Sequence, residues 1–374
     1  MHIVINSSHL RDNFSKLLSI VDKKVPRPIL SYCMITAYLE DNTIEMIGSD
    51  SDVNAKIKIK AEVYRTGSFC IHGRNFSEIL REIPSNVPIN MEITEQNNLL
   101  KISHNDLRYS LLIFSTEDYP TLRFDSSGDH FVTKTQILQK IINKISYAVS
   151  QDDTMSFLSG IFIQKIGNKL RFVATDGHRL VLIDHTDPEI KGELLEEGII
   201  IPKKGLNEIK KLSDSSLGDS LEIFVDNSFI YLKVQDSYHL TIRLMAKQYP
   251  RYQNVIPSKT IQRIVINRQQ FLTAAKRLRV LANEENDGIN FQFENDSMTF
   301  LAQNHSLGAA TEKIPVLYKE NPIEVCFNIR YLIEAVSVID DEDFFLEFNN
   351  ELGPFVIKMQ SMPYFLSIIM PIKR

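Results

Sequence analysis

A repeating pattern begins with HIVINSSHLRDNFSKLLSIV (residues 2–21). It recurs as HFVTKTQILQKIINKISYAV (130–149) and as QRIVINRQQFLTAAKRLRVL (262–281). Each copy starts with β-branched residues, which are typical of a strand, and continues into apolar residues at helical spacing. The copies recur at roughly 130 residues, far longer than the repeat of a solenoid protein, so the pattern indicates one domain written three times.

A second block follows in the same order in each copy. Residues 67–84, 197–213 and 323–340 each read as a strand, a short turn and an amphipathic helix, followed by a hairpin-like pair of strands. Each copy therefore predicts two helices and about eight strands, and helices on one side of antiparallel sheets form an α+β layer arrangement. The predicted domains are residues 1–125, 126–256 and 257–374.

Short polar residues mark two of the predicted helix starts. Thr133 stands three residues before Gln136, and Asn267 stands three residues before Gln270. This is the spacing of a capping box, in which each side chain accepts a hydrogen bond from the other residue's backbone amide. We therefore expect Thr133 and Asn267 to cap the first helices of the second and third copies.

Composition argues against several classes of protein. The 374 residues are 43% hydrophobic and 24% charged, as in globular domains, and the net charge is −5. A net acidic chain argues against a nucleic-acid binder of the usual basic kind. No glycine-rich phosphate loop follows a strand, so neither a Rossmann nor a P-loop nucleotide site is expected.

Cysteine usage and hydropathy favour a cytoplasmic protein. Cys33, Cys70 and Cys326 are far apart and in no metal-ligand spacing, which favours reduced, buried thiols. The first residues lack the basic-then-apolar pattern of a signal peptide. Since no run of about 18 apolar residues occurs, we expect no membrane span. We expect no metal and no cofactor.

The predicted helices carry many basic residues. The simplest interpretation is a solvated helix face, and for any single helix that alternative stays open. If three copies present equivalent helices to one side, these residues form a positive surface that attracts duplex DNA, which carries one charge per ~1.7 Å, without reading its bases. The second helix of the third copy is the exception, with Arg330 followed by Glu334. The basic residues are Arg11, Lys16, Lys23, Lys24, Arg74, Arg81, Lys134, Lys140, Lys144, Lys203, Lys204, Lys210, Lys211, Arg268, Lys276, Arg277 and Arg279.

Three further segments point to a known family. The heptapeptide ATDGHRL (174–180), the connector YPRYQNVIP (249–257) and the C-terminal MPIKR (370–374), with the three repeats, closely resemble the β sliding clamps of bacterial DNA polymerase III. The resemblance covers the full chain. It implies a head-to-tail homodimer closed into a pseudo-six-fold ring around duplex DNA, with helices lining the hole. It also implies a non-catalytic processivity factor that a separate, ATP-driven clamp loader opens.

The resemblance implies a surface pocket for short apolar peptides of the replicative DNA polymerase, the clamp loader and repair proteins. Asp176 and Gly177 would form a tight turn, and His178 and Arg179 would rim an apolar groove. Connectors and tails often pack on their own domain, so that alternative stays open. The implied wall is Leu158, Thr175, Gly177, His178, Arg179, Leu180, Pro250, Val255, Ile368, Met370 and Pro371.

The chain departs from the family pattern at the rim of this pocket. Lys373 takes the position of a usual arginine, and Arg374 takes the last position. Asn254 stands where the family often has an arginine just before the connector valine. These changes alter the expected polar rim and therefore the ranking of partners.

The resemblance also implies residues for DNA binding and for the ring joint. Gln151 belongs to the loop AVSQDDTM, whose acidic residues would not by themselves suggest DNA. The ring joint would pair Tyr109 and Leu111, on an edge strand, with Val280 and Leu281, and pairing protects such an edge. The alternative is that these four are ordinary core residues. The implied DNA contacts are Lys24, Arg74, Arg81, Gln151, Lys203 and Lys204.

Two other functions compete with a clamp. Asp176 and His178, with Ser159 nearby in sequence, could be imagined as a catalytic group, but no G-x-S-x-G elbow and no H-E-x-x-H spacing exists. We therefore expect no catalysis. The second alternative is a monomeric three-domain scaffold that binds peptides but does not encircle DNA.

We predict that the chain is a dimer at micromolar concentration, because a closed ring needs two chains. Light scattering or sedimentation equilibrium should give twice the 43.0 kDa of one chain. A stable species of one-chain mass at that concentration would contradict the ring and favour the monomeric scaffold.

Overall fold

The computed structural model describes residues 1–21, 28–94, 98–125, 128–186, 190–212, 220–283 and 285–373, without the side chain of Asp153. The chain folds into two units. The first unit comprises Met1–Leu138, Glu189–Leu194 and Asn207–Leu244. The second comprises Gln139–Pro188, Leu195–Leu206 and Met245–Arg374.

Seven α-helices occur in the described part of the chain, and short 3-10 helices accompany them. The α-helices are α1 (Ser7–Ser15), α2 (Gly73–Glu82), α3 (Thr135–Ile145), α4 (Leu194–Glu197), α5 (Lys203–Lys211), α6 (Arg268–Leu278) and α7 (Ile329–Ser337). The 3-10 helices are Pro28–Ser31, Ser146–Ala148, Asp153–Leu158, Tyr252–Val255 and Arg279–Leu281.

The described residues also form 25 strands, all in antiparallel sheets. The strands are β1 (His2–Asn6), β2 (Tyr32–Tyr38), β3 (Thr43–Ser49), β4 (Val53–Lys60), β5 (Glu62–Arg65), β6 (Gly67–His72), β7 (Pro88–Thr94), β8 (Leu99–His104), β9 (Leu107–Leu112), β10 (Asp129–Lys134), β11 (Gly160–Ile166), β12 (Lys169–Thr175), β13 (Arg179–Thr186), β14 (Ile199–Pro202), β15 (Ser220–Val225), β16 (Phe229–Val234), β17 (Tyr238–Arg243), β18 (Gln262–Asn267), β19 (Gly288–Glu294), β20 (Ser297–Asn304), β21 (Gly308–Pro315), β22 (Ile323–Asn328), β23 (Asp343–Phe348), β24 (Phe355–Lys358) and β25 (Phe365–Ile369). The three sequence copies hold nine, eight and eight of them, each with two longer helices, so the predicted α+β class is confirmed.

Each unit contains two sheets. In the first unit the strand orders are β5-β1-β7-β8-β9 and β10-β15-β16-β17-β4-β3-β2-β6. In the second unit they are β14-β11-β12-β13-β25-β24-β23-β18 and β21-β20-β19-β22. The two eight-stranded sheets join different sequence copies, because β17 pairs with β4 and β13 pairs with β25. The middle copy therefore contributes strands to both units.

Side-chain caps start four of the long helices. Asn6, Asn267 and Asn328 each accept a hydrogen bond from the backbone amide three residues ahead, at 3.1 Å, and His72 does so at 3.4 Å. These bonds satisfy amides that have no partner within the helix. The predicted cap at Asn267 is confirmed. The one at Thr133 is wrong, because that residue lies in β10, paired with β15, and α3 begins two residues later.

Aromatic side chains on the helices pack against one another and against the sheets. In the first unit, Phe14 of α1 meets Phe76 of α2 edge-on, with ring centroids 4.9 Å apart. In the second unit, Phe271 of α6 contacts Phe300 of β20 and Phe344 of β23, at 5.6 and 5.4 Å. All five rings are fully buried. Such pairs contribute beyond the area they bury, so each helix is fixed through its apolar face.

Two of the three cysteines lie inside the first unit. Cys33 on β2 and Cys70 on β6 are buried, and burial raises the pKa of the Cys70 thiol to about 12. Burial also raises the pKa of the Cys33 thiol, and a raised pKa favours the protonated thiol over the reactive thiolate at neutral pH. Cys326 on β22 is half-buried. Within the described residues, no helix is both long and apolar enough to cross a membrane.

We predict that His239 makes the first unit less stable in acid. Burial lowers its pKa to about 4, and Lys56 and Lys233 across the neighbouring strands add to this. Since an unfolded histidine titrates near ~6.5, the unfolded chain binds more protons than the folded one between these values. Stability should therefore fall as pH drops from about 6.5 towards 4.

Urea unfolding at a series of pH values measures the free energy of unfolding of the first unit. His239→Phe keeps an aromatic ring beside Phe124 and removes the titrating group. The variant should lose part of the acid dependence in this window. An unchanged pH dependence would show that His239 does not titrate on unfolding.

Candidate functional site

The hairpin between β12 and β13 shapes one side of the candidate site. The Thr175 hydroxyl donates to the Arg179 carbonyl at 2.6 Å and accepts from the Gly177 amide at 3.1 Å. Asp176 Oδ1 accepts the amides of both His178 and Arg179 at 3.1 Å. Gly177 has φ +91°, a conformation that L side chains rarely adopt. The sequence ATDGHRL therefore folds as a turn closed by its own polar side chains, as predicted.

Strand β25 and the chain after it form the opposite side. β25 pairs with β13 so that Leu180 is opposite Ile368, and the Met370 amide donates to the His178 carbonyl at 3.3 Å. The tail therefore continues the sheet for one residue past β25. The 3-10 helices Asp153–Leu158 and Tyr252–Val255 supply the remaining walls.

These elements enclose an apolar cavity of about 250 Å³. It brings together ten of the eleven residues predicted for the peptide pocket, all except Pro371. Phe157, Arg251 and Tyr252 line it as well and were not predicted. Tyr252 lies inside the connector YPRYQNVIP, where an aromatic residue in a polar segment was the signal available in the sequence, and the structure leaves it 3% exposed.

The cavity has a buried floor and an accessible rim. Leu158, Leu180 and Ile368 are 4%, 3% and 1% exposed, whereas Val255 and Met370 are 42% and 37% exposed. Leu180 and Ile368 also belong to a larger apolar cluster that includes Phe162 and Tyr252. An apolar recess with exposed apolar edges suits a bulky hydrophobic side chain from another molecule.

Arg179 does not rim the groove as expected. Its side chain is 7% exposed and donates to Asp176 at 3.0 Å, to Glu334 and to the Tyr147 carbonyl. The guanidinium lies over the rings of Tyr147 and Tyr331, at 5.1 and 4.3 Å. A buried charge needs such partners to offset its desolvation. Arg179 therefore lines the cavity as a buried side chain whose guanidinium is engaged with these partners, and it acts as a structural support of the site.

A second cavity of about 520 Å³ adjoins the first. It contains Pro371, the predicted pocket residue missing from the apolar cavity, and it shares His178 and Met370 with that cavity. The His178 ring stacks on Tyr331, with centroids 6.3 Å apart. The other residues that line the second cavity are mainly polar: Glu285, Asn286, Asp287, Asn328, Arg330 and Ile372. The two cavities thus form one groove divided by a short wall.

Two departures from the family pattern, Asn254 and Lys373, lie outside the groove lining. Asn254 and Lys373 are exposed, and neither lines either cavity. Arg374 lies outside the described residues. Ile372 lines the second cavity in addition to the predicted Pro371.

Four of the six predicted DNA-binding residues lie on two helices. Arg74 and Arg81 lie on α2, where they line a cleft of about 270 Å³ together with Glu78. Lys203 and Lys204 are exposed at the start of α5, and the Lys203 ammonium donates to the Gln151 side chain. This bond brings the predicted loop residue Gln151 to the same helix start. Lys24 lies outside the described residues.

Other basic residues of the helices are already engaged within the protein. The Lys144 ammonium is buried and bonded to the Val338 carbonyl and to Asp340. Arg277 pairs with Glu312. Part of the positive charge counted on the basic helices is therefore neutralised locally.

The residues predicted for the ring joint are not ordinary core residues. β9 is the edge strand of its sheet, and Tyr109 and Leu111 on it are only half-buried. Val280 is 71% exposed and Leu281 is half-buried, both in the 3-10 helix Arg279–Leu281. Each unit thus presents partly exposed apolar residues at the predicted place.

The imagined catalytic group does not form. Asp176 uses one oxygen for two backbone amides and the other for Arg179, so it holds no histidine side chain. Nor does any cluster of His, Cys, Asp and Glu suited to a metal occur in the part of the chain that the structure describes.

Sequence comparisons extend over the whole chain. Residues 1–123, 133–251 and 253–373 match the N-terminal, central and C-terminal domain models of the DNA polymerase III beta subunit. The beta sliding clamp of Pseudomonas aeruginosa is 27% identical over 91% of both chains, and that of Caulobacter vibrioides is 24% identical over the full length of both.

Solved structures share the fold over the whole chain. A P. aeruginosa sliding clamp bound to griselimycin superimposes with a TM-score of 0.93 at 24% identity, covering 100% of both chains. The Bacillus subtilis clamp gives 0.90 at 22% identity, covering 100% of this chain and 99% of that one. Since the three consecutive domain matches account for nearly all of the sequence, the chain belongs to the DNA polymerase III beta subunit family, the beta sliding clamps.

Proposed function

We propose that this protein is a DNA sliding clamp that encircles duplex DNA and tethers the replicative polymerase and other DNA-processing proteins. The observation that carries the proposal is the match of all three consecutive domains to one family. A processivity factor of this kind is non-catalytic and needs no cofactor, and we infer that it acts in the cytoplasm. No observation favours the monomeric scaffold.

The ring is formed by two chains joined head to tail, with three domains each. We propose domain boundaries at residues 1–125, 126–256 and 257–374. The unpaired edge of β9 with Tyr109 and Leu111, and the exposed Val280 beside Leu281, support a joint between chains. An exposed strand edge with apolar side chains favours pairing with another chain.

DNA is held without sequence readout, by a few cations and by ring closure. Arg74 and Arg81 on α2, with Lys203 and Lys204 on α5, are the basic residues that support this role, and Gln151 is fixed beside Lys203. Lys24 belongs to the same proposed set. Few phosphate contacts give weak, salt-sensitive binding, which allows sliding.

The groove of the second unit receives short apolar peptide segments of partner proteins. The support is the apolar cavity, which gathers Leu158, Leu180, Val255 and Ile368 beside Met370. A P. aeruginosa relative has been crystallised with griselimycin bound, so a protein of this fold does take a ligand. The polymerase, the clamp loader and repair proteins are the proposed donors of such segments.

We predict that the loaded protein stays on closed circular DNA but is lost from the same DNA after linearisation, because only an encircling protein runs off an end. The test loads the protein with a clamp loader and ATP, then isolates the DNA by gel filtration. Equal retention on both DNA forms would contradict encirclement.

Charge reversal at proposed DNA contacts tests, in the same assay, the basic residues that would line the hole of the ring. Lys203→Glu with Lys204→Glu should lower loading or retention on the circle at low salt while the dimer mass is unchanged, since like charges repel the phosphates. The double substitution Lys259→Glu with Lys319→Glu, at exposed lysines outside the proposed set, serves as the control.

We predict that Val255→Glu weakens peptide capture without unfolding the chain. A carboxylate placed on the apolar rim must lose water when a peptide side chain enters, which should weaken binding by about ten-fold or more. Fluorescence anisotropy with a labelled peptide carrying Leu and Phe anchors measures this.

Ile166→Glu is the matched control for the Val255 experiment. Ile166 is a β-branched residue of the same unit with similar exposure, 40% against 42%, and it lines neither cavity. Equal affinity of the Val255 variant and wild type would mean that peptides bind elsewhere.

A further inference from the structure

Helix α7 is the exception among the basic helices, and its acidic residue Glu334 has a structural role at the groove. Glu334 is on α7, and its carboxylate accepts from the Arg179 guanidinium rather than facing only solvent. We propose that Glu334 is a positioning residue for the peptide groove, acting through Arg179 on the wall between the two cavities. This inference rests on the proposed function, since it concerns the affinity of the same site.

Arg179 connects three separate elements through one side chain. Its donors reach Asp176 in the β12–β13 turn, the Tyr147 carbonyl in the 3-10 helix after α3, and Glu334 on α7. Asp176 and Tyr147 are near Arg179 in sequence, whereas Glu334 is 155 residues away. Glu334 therefore supplies the ion pair that joins helix α7 to the turn, beside the ring contacts that Tyr331 of the same helix makes.

The position of the wall between the two cavities depends on this connection. It consists of His178 and Met370, which line both cavities. The His178 amide is fixed by Asp176, and its ring stacks on Tyr331, which in turn lies against the Arg179 guanidinium. If α7 moves relative to the turn, Tyr331 and His178 lose their common support.

A neighbouring carboxylate limits what the loss of Glu334 does to folding. Asp176 still balances the charge of Arg179 at 3.0 Å when Glu334 is removed, and the Tyr147 carbonyl still accepts a hydrogen bond. Glu334 itself is 38% exposed, so its replacement leaves no enclosed void. The expected effect is a displaced wall in a folded protein.

The test compares three variants of the full chain by anisotropy with the labelled Leu- and Phe-containing peptide. Glu334→Ala should bind about ten-fold more weakly than wild type, within the usual range of coupling between connected sites. Glu334→Gln keeps an oxygen acceptor for Arg179 and should stay within about three-fold of wild type. Glu351→Ala removes an exposed glutamate of the same unit and should match wild type. Thermal unfolding of each variant is measured in parallel.

The outcomes separate this inference from the proposed function. Wild-type affinity in Glu334→Ala would overturn the positioning role while leaving the peptide site intact. Equal losses in Glu334→Ala and Glu334→Gln, each with a lowered Tm, would also overturn it, because Glu334 would then act only on folding. If wild type itself fails to bind the peptide, the proposed function of the groove is wrong.

Discussion

The candidate site depends on one backbone interaction, the antiparallel pairing of β13 with β25. This pairing joins the middle sequence copy to the last one and places Leu180 opposite Ile368. Because side chains alternate between the faces of a strand, a slip of β25 by one residue would move Ile368 to the other face, away from Leu180. The apolar floor exists in this register only. β13 also pairs with β12, with Thr175 opposite Leu180, and the register of this second pair fixes the Asp176–Gly177 turn.

The polar part of the site depends on the burial of Arg179. A guanidinium at 7% exposure is stable only when hydrogen bonds and opposite charge replace its water. Two carboxylates, one carbonyl and two aromatic rings do so here. Removing the arginine would leave Asp176 and Glu334 close together without a cation. The same side chain therefore stabilises the turn and sets the distance to α7.

The sequence was sufficient for features that depend on neighbouring residues or on repetition. The three copies predicted the helices and strands, and Asn267 caps α6 as its spacing indicated. The prediction that Thr133 caps a helix was wrong because a tertiary interaction prevailed. Pairing with β15 keeps Thr133 and the residue after it in strand β10. The burial of Arg179 was hidden for a related reason, since its partner Glu334 is distant in sequence. Most of the groove wall came from the resemblance and not from composition or spacing.

The net charge of −5 says little about DNA because charge acts locally. Counting basic residues on the helices overestimates the positive surface, since Lys144 is buried against Asp340 and Arg277 is paired with Glu312. The proposed contacts then reduce to a few residues on α2 and at the start of α5. Each phosphate contact adds to the salt dependence of affinity, so a small set gives weak binding that exchanges rapidly. Such contacts alone would not give long residence on DNA, so the proposed closure of two chains around the duplex would have to supply it.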